Sequence, residues 1–472
     1  MADPLDLRHE HERALELALA EAKRFLATLD EGLVREPASD EIADAIGGTL
    51  PEDGEGALAA LGELRDSIPA ATRSAGPRFF HFVIGGSTPA ALAADWLAST
   101  LDQNAGFWTA SPLGSQLERV AVDWLKDLFA LPREWSGVLT TGATMANFTA
   151  LAAARRWYGE RHGVDVERDG FSALPAPPVL TSGYIHVSTE KALAMLGLGT
   201  ASIRRLARDD AGRLDLEALE QALVHLDGAP AIIVATAGEV NGGDFDPIAA
   251  VADLAERHDA WLHVDGAFGL FARLSAEVAP LAEGVDRAHS VIADGHKWLN
   301  VPYECGFAFV REPRYQIAAF AAGAPYLVTE DRPAWGFLGP EMSRRARAFA
   351  TWATLRAYGR GGYRRMVERH IRLARRVGEQ VEAAPELELL APVRLNVVCF
   401  RLHPPGIDDE QALDELNTQV GAAVIDNGRV YFGTTVYRGH VCFRPAIVNW
   451  LTTERDVDLI VATIRELATV TA

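Results

Sequence analysis

Between Arg78 and Arg311 the chain alternates short, unbroken apolar runs with helix-patterned segments, and that alternation admits few folds. The runs are Gly137–Thr140, Val179–Thr181, Ala231–Ala235, Trp261–Val264, Val291–Ala293 and Gly306–Val310. A strand covered on both faces has no polar side to show, so it reads as a continuous run rather than an alternation. Between the runs lie Met145–Trp157, Thr189–Gly197, Leu216–Leu223 and Pro247–Arg257, with apolar residues at helical spacing. Strands separated by helices predict an α/β unit built on a mostly parallel sheet with helices on both faces. The stretch 159–178, rich in Gly, Pro and charge, is expected to be a loop within that unit.

The flanks read differently. In the first 76 residues helices alternate with polar breaks; His11–Thr28, for example, carries Leu15, Leu19, Ala22 and Leu26 at helical spacing. After Pro313 comes Ala321–Glu341, with little periodicity, expected to be a mobile loop. A long helical segment, Ser343–Ala383, then leads to strands near Asn396–Leu402 and His440–Phe443 and a last helix, Thr453–Ala468. A chain of 472 residues exceeds one ordinary core. The expected division is a helical arm (1–76), a large domain (77–345) and a small α+β domain (346–472).

Charge narrows the partners. With 45 basic and 65 acidic side chains the formal charge is −20, which repels nucleic acid and anionic membrane. Met1–Glu41 is charged throughout and no run of 18 apolar residues occurs, so a cytoplasmic protein is expected. Cys305, Cys399 and Cys442 lack metal-ligand spacing; buried, unpaired thiols are expected, and no metal.

Of the 45 basic residues only four are lysines: Lys23, Lys126, Lys191 and Lys297. Arginine cannot shed its proton at working pH, whereas a desolvated lysine can, and can then form an imine. Lys297 sits in Asp294-Gly295-His296-Lys297-Trp298, just after one apolar run. Asp265 ends another, in His263-Val264-Asp265-Gly266-Ala267. In a parallel sheet the carboxyl ends of strands open into one crevice, which would carry this amine and this carboxylate together. Pyridoxal 5′-phosphate (PLP) needs both, the amine for its aldehyde and the carboxylate to keep the pyridine nitrogen protonated. Gly142, Ala143 and Thr144 form a small-residue turn between a run and a helix, where free N–H groups and the helix dipole favour a phosphate.

Arg78–Val310 resembles the group II PLP-dependent decarboxylases, the family of aromatic-L-amino-acid, glutamate and cysteine-sulfinate decarboxylases. The resemblance is carried by Pro77-Arg78-Phe79-Phe80, Leu92-Ala93-Ala94-Asp95-Trp96-Leu97, Ser111-Pro112 and the His263-Val264-Asp265 and His296-Lys297-Trp298 segments. It implies PLP fold type I, with a mostly parallel seven-stranded sheet, an active site shared across a homodimer, and an amino-acid substrate. It further implies that Lys297 holds the cofactor and that His186 stacks on its ring. Ala267 would lie under the ring, Gly142, Ala143, Thr144 and Asp294 near the phosphate, and His296 behind them. Arg444, in Cys442-Phe443-Arg444-Pro445, resembles the arginine that takes a substrate carboxylate.

Phe82, Phe107 and Trp108 would wall the substrate site, which suits an aromatic or apolar L-amino acid decarboxylated to the amine and CO₂. Two departures bear on the outcome. The family carries a proton-donating tyrosine on a mobile loop, but Leu327–Pro340 has only Trp335 and Phe337, with Tyr326 just before it. Relatives lacking that tyrosine can form aldehydes with oxygen, so a PLP-dependent aldehyde synthase, or another lyase, is the alternative. Glu239 and Val240 stand where the family often has two threonines, which leaves Asn241 to bond the cofactor's phenolic oxygen.

Overall fold

The computed structural model describes residues 8–322, 332 and 334–471. Seven strands build the large sheet: β1 (Ser136–Thr140), β2 (Val179–Thr181), β3 (Ile203–Arg205), β4 (Ile232–Thr236), β5 (Trp261–Asp265), β6 (Ser290–Asp294) and β7 (Gly306–Val310). Their order is β1-β7-β6-β5-β4-β2-β3. β2 to β6 pair in parallel, and β7 runs antiparallel between β1 and β6. Every residue of β4, β5, β6 and β7 is buried, which is why each reads as an unbroken apolar run. All six expected strands form, within one residue at either end.

β3 escaped the sequence reading because only Ile203 is apolar and both arginines are exposed at the sheet edge. The interval 159–178 holds a short helix, Val166–Asp169, started by the Asp165 carboxylate on the Arg168 N–H. Helix Ala348–Glu382 begins five residues later than expected and breaks at Gly359 (φ 59°), a left-handed conformation that glycine adopts without steric cost. Of the expected mobile loop, 323–331 and 333 lie outside the described residues, Tyr326 among them. Its far end is pinned: Trp335 is buried and its Nε1 donates to the Ser115 carbonyl at 3.1 Å.

The small domain carries a four-stranded antiparallel sheet, β10-β11-β9-β8, from β8 (Leu387–Leu389), β9 (Phe400–Leu402), β10 (Thr434–Tyr437) and β11 (His440–Phe443). The expected strand Asn396–Leu402 is shortened to β9, because Asn396 instead bonds Ile447 with its side chain and its backbone carbonyl. The first helix, His11–Ala27, buries no residue, and Leu15, Leu19 and Leu26 are exposed. All three cysteines are buried and free. No helix among the described residues is long and apolar enough to cross a membrane, and no metal-ligating cluster occurs among them.

Candidate active site

β1, β4, β5 and β6 end at the same edge of the large sheet and open a crevice of about 270 Å³. Its lining includes Asp265, Asp294, Lys297, His186, Ala267 and the Gly142–Thr144 turn. Adjacent parallel strands thus place the amine and both carboxylates together.

Asp265, at the end of β5, is buried and bonded on both oxygens. Its Oδ2 accepts from Asn147 Nδ2 (3.1 Å) and Thr189 Oγ1 (2.9 Å), and its Oδ1 from the Ala267 N–H (3.2 Å). Burial alone would push this carboxyl up. His186, the Asn147 bond, His263 and Lys297 more than offset burial, and hold it below the usual carboxylate range.

Asp294, at the end of β6, is just as buried. Its Oδ2 meets Lys297 Nζ at 3.1 Å and His296 Nε2 at 3.6 Å, while Oδ1 has no hydrogen-bond partner. Lys297 departs from helical geometry (φ −91°, ψ −107°), and its Nζ also stands 5.9 Å over the Phe268 ring. His296 is buried, stacked on Tyr303 with centroids 4.2 Å apart, and burial lowers its pKa.

The turn after β1 carries Gly142 at φ 124°, a conformation L side chains rarely adopt, and a Cβ there would meet the His296 ring at 3.0 Å. The first intrahelical bond runs from Ala146 to the Gly142 carbonyl, so the N–H groups of Ala143, Thr144 and Met145 precede it; no side chain caps them. Gly306 of β7 holds the turn from behind: a Cβ on it would fall 2.6–2.8 Å from Gly142 backbone atoms.

His186 opens on the crevice, yet protein surrounds it closely enough for burial to lower its pKa. Its Nδ1 accepts from the Ser188 N–H (3.2 Å), so the neutral ring carries its proton on Nε2. Arg444 is buried, its pKa lowered by burial against the pull of Glu239. It donates to the Val240 carbonyl at 3.3 Å, and no carboxylate among the described residues lies within ion-pair reach of it.

Not every expected residue converges. Asn241 turns its carbonyl to Thr435 Oγ1 (3.0 Å), away from the crevice, whose lining there is Thr236, Gly238 and Val240. Phe107 packs edge-on against Phe337, Trp108 lies under Arg332, and Phe82 is 62% exposed; none lines the crevice within one chain. The sequence reading missed Asn147 and Thr189. A lone amide among Ala143, Ala146 and Ala150 was the available signal for Asn147, but nothing local names its partner.

These groups fit PLP: uncapped N–H groups for a phosphate, a bonded carboxylate for a pyridinium, and a lysine between them. Thr236 Oγ1 is buried without a partner at the crevice wall, a further hydroxyl for a polar ring. Fold and site define a PLP-dependent enzyme of fold type I. A family model, the pyridoxal-dependent decarboxylase conserved domain, matches residues 41–403, and the chain belongs to that family.

An aromatic-L-amino-acid decarboxylase from Bacillus atrophaeus is 29% identical over 439 residues, covering 91% of this chain and 89% of that one. An L-2,4-diaminobutyrate decarboxylase from Rhizobium meliloti (strain 1021) is 33% identical over 436 residues (89% and 84%). Oryza sativa TDC, solved with PLP and tryptamine, superimposes with a TM-score of 0.90 at 25% identity over the whole of both chains. Rhodiola rosea 4-hydroxyphenylacetaldehyde synthase gives 0.84 at 25% identity, covering 98% of each chain. The chain is therefore a PLP-dependent amino-acid decarboxylase by family, with PLP as its cofactor.

Proposed function

We propose that this enzyme converts an aromatic or long apolar L-amino acid to its amine and CO₂, working as a homodimer. The observation that carries the reading is Arg444, a buried guanidinium outside the crevice lining, with no carboxylate within ion-pair reach among the described residues and close enough to His186 to help lower its pKa. PLP supplies the electron sink that a bond breaking at the substrate Cα requires. Lys297 would hold it by Nζ, Asp265 would accept the ring N–H, and the Gly142–Thr144 turn would take the phosphate. Arg444 orients the substrate carboxylate through a bidentate contact. His186 would lie against the ring, with its own proton on Nε2. Phe82 and the helix His11–Ala27, with Leu15, Leu19 and Leu26 exposed, support the dimer as apolar surface that a second copy would cover. The division at residues 76 and 345 is part of the same reading.

A second reading, aldehyde formation, is favoured by one observation: the segment 334–340 places Trp335 and Phe337, not a phenol, next to Phe107 and Ser115. The test is incubation with a panel of aromatic, apolar, acidic and diamino acids while CO₂, amine and peroxide are followed together. Amine and CO₂ from an aromatic or apolar acid are expected. Turnover of 2,4-diaminobutyrate or glutamate alone would overturn the substrate class, and peroxide that falls under argon would select the second reading. Sedimentation of an active monomer would overturn the dimer.

A further inference from the structure

Behind Asp265 runs a line of buried polar side chains. Trp261 Nε1 lies 3.0 Å from Ser290 Oγ, and Ser290 Oγ lies 2.9 Å from His263 Nδ1. His263 Nε2 lies 2.9 Å from Asn147 Oδ1, and Asn147 Nδ2 lies 3.1 Å from Asp265 Oδ2. Trp261, Ser290, His263 and Asn147 are all 0% exposed, so no solvent competes for any of these bonds.

The protons on this line have one arrangement. An indole N–H can only donate, and an ionised carboxylate can only accept. Trp261 therefore donates to Ser290, whose own proton goes to His263 Nδ1. The neutral imidazole keeps its proton on Nε2 and gives it to the Asn147 carbonyl. That turns the Asn147 amide so that its NH₂ faces Asp265. Every donor points toward the carboxylate, so the bond dipoles add. Oδ2 is closed by Asn147 and Thr189, while Oδ1 carries only the Ala267 N–H at 3.2 Å and keeps room for a further donor.

We infer that His263 is a positioning residue for the reaction: through Asn147 it fixes the rotation and the ionised state of Asp265, so that Oδ1 faces the crevice as an anion. This rests on the reading above that Asp265 serves the cofactor's ring nitrogen. Without His263 the Asn147 carbonyl loses its donor, and the amide is held only through its Nδ2, by Asp265, Thr189 (3.0 Å) and Ser188 (3.5 Å), so its hold on the rotation and ionisation of Asp265 loosens.

The experiment uses the full chain, with and without PLP, and three variants: His263→Phe, which breaks the line; Ser290→Ala, which removes one donor; and His263→Gln, which keeps an N–H near the Nε2 position. In PLP-free protein, ¹⁵N-histidine NMR should show His263 with its proton on Nε2. In His263→Phe, kcat should fall roughly 10- to 100-fold with KM within about threefold, and PLP affinity should weaken about tenfold, the scale on which outer hydrogen-bond partners act. Ser290→Ala should follow in the same direction and, if His263→Phe does not fold, carries the test alone. His263→Gln should recover most of the loss. A proton on Nδ1 overturns the inference, as does a folded His263→Phe, or Ser290→Ala in its place, with wild-type kcat and PLP affinity. Asp265→Asn run alongside separates the two readings. Near-wild-type turnover there sinks the role of Asp265 and this inference with it. A large loss there with none in folded His263→Phe sinks the inference alone.

Discussion

Two buried carboxylates close neighbouring strands at one edge of the sheet, and their surroundings are opposite. Asp265 ends β5 with three donors on its two oxygens. Asp294 ends β6 with one oxygen shared between Lys297 and His296 and the other without a hydrogen-bond partner. A buried charge is tolerated when it is bonded and costly when it is not. Asp265 is thus an anion with donors on both oxygens from its own protein, and Oδ1 has room for one more. Asp294 relies for its pairing on Lys297 and on what enters the crevice beside the Gly142 turn.

Lys297→Ala should break this contrast most severely, because it strips Asp294 of the ammonium 3.1 Å from its Oδ2 and leaves the donors of Asp265 untouched. Turnover and the borohydride-reducible cofactor adduct should both vanish while the fold persists by circular dichroism. An adduct mapped to Lys23, Lys126 or Lys191 would refute the assignment. Asp265→Asn should cost on the order of 10³-fold in kcat, about 4 kcal/mol of lost charge stabilisation, with KM little changed. A loss under tenfold would mean that another group protonates the ring.

Asp294→Asn should be far milder, within about tenfold in kcat, because the amide keeps the shape and removes only a charge that already lacks full pairing. Titration of the cofactor's absorbance would show whether its affinity for PLP rises, as loss of a negative charge beside an anion site requires. A loss comparable to that of Asp265→Asn would erase the distinction.

The smallest effect is on stability. Burial holds His263 near a pKa of about 4, below its unfolded value near 6.5. A base with a depressed folded pKa favours folding above the unfolded value, and that share is lost as pH falls from 6.5 toward 4. Asp246, pushed up to about 7 by burial, works against this trend over the same range. The difference between proteins isolates the histidine: melting temperature should drop a few degrees further in wild type than in His263→Gln between pH 6.5 and 4.5. Equal drops would mean that His263 is not the group that takes up the proton.

How much of this was legible depends on where the cause lies. β5 and β6 were readable because burial on both faces writes itself into consecutive residues, and the two aspartates follow from where those runs stop. β3 and β10 lie at sheet edges, and edge strands need no apolar run. Helix Glu410–Asn427 went unread although Asp409 caps its start and Gly428 ends it in the left-handed region. Lys297, His186 and Arg444 could be placed by residue chemistry and resemblance. The side-chain partners of Asp265 could not, because Asn147 and Thr189 reach it only through the packing of two separate helices against β5. The aromatic wall of Phe82, Phe107 and Trp108 does not line the crevice for a related reason: spacing along a sequence does not say which surface a side chain will face.

Gly306 carries a consequence for anyone reading phenotypes. It sits in β7, one layer behind the Gly142 turn, where even an alanine methyl would collide with the backbone. In a saturation-mutagenesis screen its variants would cluster with cofactor-contact mutants, and pyridoxine supplementation would partly rescue the mildest of them. Position 306 would then be mapped as a ligand-binding residue, though its effect is purely that of a spacer.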